Sequence, residues 1–327
     1  MRRFPILFAV TCVWSLAAAN TACRQTGREE PAPTMSATRR AEAVVPTVLA
    51  VFGSHGEGAG AFLGPFGICS TQTGEIYLVD DLAHRISVFD ERGTFLRTLG
   101  RYGSGPGELA WPDAVWVEPS SGRLYVADTG NNRIQIWEAD GRFVRAFGRR
   151  LLGPSLHNPR DVMVSPDAEV FVADFNHGIV RVFDGSGTHR RDITGRGTPG
   201  ALAGPIQLAR SEAGELFVSD TRRHAVVVFD AQGTFRRTFG TLGSELGELR
   251  SPHGIAFGPD GALYVVDHGN DRVAVFTADG QPLRVIGRSG NAPGELRQPT
   301  DVAVLGGGRL VVVDKGNHRV QVWDVKG

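Results

Sequence analysis

Six positions in this sequence carry side chains of different chemistry behind a common proline. The prolines are Pro65, Pro112, Pro159, Pro205, Pro252 and Pro299, and the residues that follow are Phe66, Asp113, Arg160, Ile206, His253 and Thr300. Six different side chains at one repeated position mark a place where the chemistry has been adjusted and make these residues a candidate ligand-binding set. His268, just after Asp267 in the same segment as His253, adds a second imidazole that could help to recognise an anion or bind a metal weakly. Catalytic zinc needs about three protein ligands and an open position. Here His253 is the clearest donor and Asp113 a second, while Arg160 would repel a cation. His84, His224 and His318 share another register, with His177 one place earlier, and read as turn residues on separate segments. Arg222, Arg223 and His224, together with Arg160, form the best candidate for a local anion-binding face. The sequence contains no Gly-x-Ser-x-Gly elbow, Cys-x-x-Cys pair, His-Glu-x-x-His helix or phosphate loop.

These residues are positioned by a repeat. Aspartates ending an apolar run recur at Asp80, Asp128, Asp174, Asp220, Asp267 and Asp314, at intervals of 48, 46, 46, 47 and 47 residues. Each unit holds four short runs rich in strand-forming residues and separated by glycine or proline, and Ile134 and Ile136 alternate with Gln135 as a pleated strand requires. A four-stranded sheet with two apolar faces must stack on neighbours, so the units are expected to be blades of an all-β, six-bladed β-propeller. The last unit stops at Val320–Trp323, and its missing outer strand is found at Val48–Phe52. This N-terminal strand is expected to complete the last blade and close the ring, removing the open edges. An arginine five residues after four of the aspartates (Arg85, Arg133, Arg272 and Arg319) is expected to meet the carboxylate. Ile179 and Ala225 replace it in the other two units, so the feature common to all six is expected to be the aspartate's contacts with turn N–H groups.

The segments Leu124–Trp137 (LYVADTGNNRIQIW) and Val312–Trp323 (VVDKGNHRVQVW) resemble NHL repeats, and the resemblance extends over residues 48–327. It implies a six-bladed propeller with the residues after the prolines near the mouth of the central channel. Pro252-His253-Gly254-Ile255 and Gln298-Pro299-Thr300-Asp301-Val302-Ala303-Val304 also resemble segments of the peptidyl-α-hydroxyglycine α-amidating lyase propeller, which binds zinc through histidines placed after such prolines. Only His253 matches that pattern, and the family's catalytic tyrosine has no counterpart in the turns after Asp267 and Asp314.

Composition narrows the function further. The chain has 327 residues, 35 basic against 35 acidic, and 41% hydrophobic residues, which excludes a disordered polyelectrolyte and disfavours a nucleic-acid binder. Arg2 and Arg3 precede an apolar run to Ala19, so residues 1–23 read as an export signal. Thr21-Ala22-Cys23 resembles the end of a bacterial lipobox, although Asn20 stands where that motif usually carries an aliphatic residue. The expectation is a lipoprotein anchored through Cys23, in the periplasm or at the outer membrane, with simple cleavage and secretion as the alternative. Residues 24–43 lack large apolar side chains and read as a flexible linker, and residues 44–327 form the propeller. No complete catalytic set emerges. The chain is therefore read as a monomeric binding or scaffold module for a protein, peptide or glycan, without a cofactor. The alternative is a metal-dependent lyase or hydrolase of the channel mouth, using zinc or calcium.

Overall fold

The computed structural model describes residues 46–149 and 154–325; the export signal, the linker and Cys23 lie outside the described residues. The described strands form six four-stranded antiparallel sheets. In the first blade the strands are Pro65–Ser70, Ile76–Asp80, Arg85–Phe89 and Phe95–Leu99, running in sequence order from the channel outward. The second blade repeats this with Ala114–Val117, Leu124–Asp128, Arg133–Trp137 and Phe143–Phe147. No helix among the described residues is long and apolar enough to cross a membrane.

The strand sequences follow from where each strand sits. Second strands such as Ile76–Asp80 and Leu124–Asp128 are buried throughout, since neighbouring blades cover both faces, and they read as continuous apolar runs. The outermost strand Phe95–Leu99 alternates partly buried with exposed residues until its buried last residue, Leu99, because one face meets solvent. Six apolar clusters fill the six interfaces between blades. One joins Ile134 and Ile136 of blade two to Val162, Val164, Val170 and Val172 of blade three. Another joins Val311, Val313 and Val320 of blade six to Ile68, Ile76 and Leu78 of blade one, which closes the circle.

Blade six has the strands Val302–Leu305, Arg309–Asp314 and Arg319–Asp324 and takes its fourth from the other end of the domain. Strand Thr47–Phe52 pairs antiparallel with Arg319–Asp324, from Thr47 opposite Asp324 to Phe52 opposite Val320. Phe52 also packs on Phe89 of blade one, with ring centroids 5.0 Å apart.

The six repeated aspartates are fully buried. Their common contact differs from the expected turn N–H groups. Each carboxylate accepts an N–H from the segment that enters the first strand of its own blade: Gly64 to Asp80 (2.7 Å), Ala110 to Asp128 (2.8 Å), His157 to Asp174 (3.1 Å), Gly204 to Asp220 (2.9 Å), Arg250 to Asp267 (2.6 Å) and Arg297 to Asp314 (2.7 Å). The second strand ends beside that entry, so the carboxylate is closer to it than to the turn ahead. A turn N–H is an added donor at Asp220, from Arg223 at 3.2 Å. The expected arginines donate to Asp128, Asp267 and Asp314 at 2.6 to 2.7 Å, and Arg85 stands 3.7 Å from Asp80. Asp174 receives Arg181, seven residues on, in place of the missing partner.

Deleting Val48–Phe52 is expected to cost at least about 3 kcal/mol, since it removes a ladder and exposes Phe89 and the edge of Arg319–Asp324. The check is thermal unfolding with size-exclusion chromatography: a monomer with an unchanged melting curve would refute ring closure.

Candidate functional site

The entry prolines and the turns after the second strands lie on one face of the ring. Two sets of side chains meet there: the residue after each proline, as expected, and the residue after each buried aspartate, of which the sequence singles out only His268. The second set includes Asp81, Thr129, Phe175, His268 and Lys315. Thr129 Oγ1 donates to the Pro159 carbonyl at 2.6 Å, and His268 Nδ1 lies 2.9 Å from the Pro299 carbonyl, the same reach from a turn to the next blade's proline. A carbonyl only accepts, so His268 carries a proton on Nδ1.

His253 stacks on His268 with ring centroids 4.2 Å apart and planes 4° from parallel. Its Nδ1 is sealed from solvent and has no hydrogen-bond partner. Burial, then His268, Arg160 and Lys315, hold the His253 imidazole well below its ordinary pKa, so the ring is neutral. Phe66 lies 6.1 Å from His253 and carries Lys315 Nζ 4.5 Å from its ring centre. The Arg160 guanidinium sits 5.5 Å from Phe66 and 5.3 Å from Phe175, and Arg222 lies 4.3 Å from Phe175. The mouth thus carries a belt in which cations alternate with aromatic faces, drawn from blades one, three, four and six, with the histidine pair of blade five beside it.

Two of the three cations have carboxylate partners. Arg160 bonds Asp113 at 2.5 Å, and Lys315 bonds Asp81 at 2.8 Å. Burial pushes the Asp113 carboxyl up, against the pull of Arg160. Among the described residues Arg222 bonds only the Ala203 carbonyl, at 3.0 Å. Among the described residues no group of three or more His, Cys, Asp or Glu gathers in a way that could hold a metal ion. Asp113 is engaged by Arg160 and does not serve as the second donor weighed beside His253.

Of the other expected residues, Thr300 points its hydroxyl at the Phe66 carbonyl (2.8 Å) and ties blade six to blade one, while Ile206 is a buried apolar residue. The Arg222-Arg223-His224 run does not act as one face. Arg223 bonds the carbonyls of Ala201 and Pro199, His224 Nδ1 accepts the Ser251 N–H at 3.0 Å, and Arg222 alone of the three joins the belt. His84 Nδ1 accepts the Trp111 N–H in the same way, as Asn132 Oδ1 does for Asn158 and Asp271 Oδ1 for Gln298. These four acceptors all have left-handed φ of 53° to 56° at one register. His84 and His224 are therefore fasteners between blades, and His177, bonded to Asp174 at 2.8 Å, supports the scaffold where other blades place asparagine.

Deeper in the channel, blades are joined by side chains two residues after the prolines. Asp301 accepts the N–H groups of Ile68 (2.7 Å) and Val302 (2.6 Å), Asp161 accepts Leu208 (2.9 Å), and Gln207 accepts Ile255 (2.7 Å). Gly254 makes this packing possible, because a Cβ there would meet Asp301 Oδ1 at 2.4 Å and Gln207 Oε1 at 2.9 Å. Burial raises the Asp301 carboxyl to about 7 and pushes Asp161 well above the carboxylate range, with Asp301 adding to the shift of Asp161. Burial chiefly, with these two carboxylates adding, raises the Cys69 thiol to about 12, which makes it inert.

The repeats match known families. A family described as a 6-bladed beta-propeller matches residues 65–148, and the NHL repeat matches residues 249–276 and 296–323. The chain is a six-bladed propeller, and two of its segments match the NHL repeat. RING finger protein nhl-1 of Caenorhabditis elegans is 43% identical over 60 residues, 18% of this chain and 6% of that protein, so the propeller spans a small part of that relative. Among solved structures, a streptogramin B lyase superposes with a TM-score of 0.59 at 16% identity, covering 80% of this chain and 94% of the other. A gluconolactonase from Xanthomonas campestris gives 0.61 at 18% identity, covering 81% and 87%. At these identities the likeness concerns the fold.

Two outcomes follow for this propeller. The Asp301 carboxyl keeps its proton in the folded state up to about pH 7, whereas the unfolded chain loses it near pH 4. Stability from this group is full below about pH 4 and is lost as pH rises to about 7, by up to ~4 kcal/mol. Asp301→Asn, which keeps an acceptor oxygen, is expected to flatten urea-unfolding stability between pH 4 and 8 relative to wild type; an unchanged slope would contradict the assignment. His224→Ala is expected to cost about 1 kcal/mol by stranding the Ser251 N–H, while His224→Asn is neutral within about 0.5 kcal/mol. Equal losses for the two variants would remove the fastener role.

Proposed function

We propose that the protein is an extracytoplasmic binding module that receives an anionic group of a protein or peptide ligand, such as a carboxylate, at the channel mouth. The observation that carries this reading is the cation–aromatic belt beside a neutral, unpartnered His253. Lys315, Arg160 and Arg222 outnumber Asp81 and Asp113, so the site favours one further negative charge. Burial first, then His268, Arg160 and Lys315, keep His253 deprotonated in the free protein, and a bound anion would offset the share of Arg160 and Lys315. Phe66 and Phe175 give the ligand's apolar part a surface next to the charge.

The stacked histidines also support the second reading, a metal-dependent lyase or hydrolase, because imidazole is a common zinc ligand. It needs donors beyond these two side chains. Equilibrium dialysis against zinc and calcium separates the readings: a stoichiometric metal lost on His253→Ala would favour the enzyme.

The anion reading is tested by calorimetry with N-acetyl dipeptides carrying a free or an amidated C-terminus. The free acid is expected to bind and the amide to bind at least tenfold more weakly. Arg222→Gln and His253→Phe should each weaken the acid about tenfold. Equal binding of acid and amide would overturn the proposal.

A further inference from the structure

Away from the channel axis, between blades two and three, the same face opens into a cleft of about 400 Å3 with Trp111 in its wall. Trp111 is 51% exposed, and its φ of 42° is left-handed, where so bulky a side chain is rare. The equivalent residue before the other prolines is Gly64, Asn158, Gly204, Ser251 or Gln298. Asparagine satisfies this backbone in blade three at a φ of 63°, so the fold does not demand an indole here.

The indole is nonetheless held firmly. Its backbone N–H is fixed by His84 Nδ1 at 3.0 Å. The His84 ring meets it edge-on at 5.1 Å, and Tyr102, 64% exposed, stands 6.3 Å from it and 4.7 Å from His84. A strained backbone retained under an exposed, clamped aromatic ring points to a use for that ring.

The rest of the cleft is polar. The side-chain amides of Asn158 and Asn176 make no hydrogen bond with other described residues, and the Asp113–Arg160 pair borders them. An amide offers two donors and an acceptor, and the ion pair offers both kinds in a fixed geometry.

We infer that this cleft binds a sugar ring of a glycan. A pyranose has a flat C–H face that fits the indole and a rim of hydroxyls that both donate and accept, matching the two amides and the Asp113–Arg160 pair. A prolyl or aromatic side chain of a peptide would use the indole but leave the amides of Asn158 and Asn176 without partners as water is displaced, which disfavours it. The volume falls within the usual range for small-ligand pockets. The cleft shares Asp81, Asp113 and Arg160 with the channel mouth, whereas Trp111, Asn158 and Asn176 belong to the cleft, and the sugar is assigned on those three whatever binds at the mouth.

The test follows binding heat by calorimetry during titration with cellohexaose, chitohexaose and maltohexaose, with hexaproline as the peptide probe. At least one oligosaccharide should give a saturable change, and Trp111→Asn should weaken it tenfold or more. That variant should melt no lower than wild type, because asparagine suits the left-handed backbone, and it should bind the acetylated dipeptide acid as wild type does. The sugar titration is read on its own, whatever the outcome for the acid. Failure of all three oligosaccharides, undiminished binding by Trp111→Asn, or binding of hexaproline alone would overturn the assignment.

Discussion

A buried carboxylate at the end of each blade's second strand is the constraint on which the ring depends. Removing an ion from water is expensive, and it is tolerated only where hydrogen bonds surround it. Asp128 collects them from four directions: the Ala110 N–H, the Asn131 amide, the Arg133 guanidinium and the Gln135 amide. Arg133 extends the network to the carbonyls of Ser104, Gly105 and Glu108, so the connector from the previous blade is held by the same charge. One residue per blade therefore fixes where the chain enters, where it turns and how it arrived.

With the scaffold secured this way, neighbouring positions are free to differ. The residues just after the prolines and just after the aspartates interleave around the mouth, and no two blades share the same pair. Blade two places Asp113 and Thr129 there, blade five His253 and His268, and blade six Thr300 and Lys315. Thr129 and His268 each spend one hydrogen bond on the next blade, so part of the diversity still serves assembly. The buried Nδ1 of His253 has no partner among the described residues, so this part of the diversity has no structural task in the network.

The blades, their period and the closing strand were legible in the sequence because they rest on local alternation and on one repeated residue. The mouth was half legible. Proline marked Phe66, Asp113, Arg160 and His253, but Lys315, Asp81 and Phe175 follow the aspartates and looked like ordinary turn residues. Their contacts, such as Lys315 with Phe66 and Asp81, join the last blade to the first. No pattern within one repeat reveals a contact of that range. The Arg222-Arg223-His224 run erred in the opposite direction: chain neighbours in a tight turn diverge, and each goes to a different task. A signal for the fasteners was present, since His84, Asn132, His224 and Asp271 share a register of polar residues, all of types that tolerate left-handed backbone more readily than most.

The antiparallel pairing of Thr47 with Asp324 puts the two ends of the folded chain side by side in one ladder. During synthesis the strand made first must wait for the strand made last, so the ring cannot lock until the whole domain has left the ribosome. Until then five blades stand with both flanks uncovered, and the interval between the emergence of Val48 and that of Trp323 is when the nascent chain most needs protection from its neighbours.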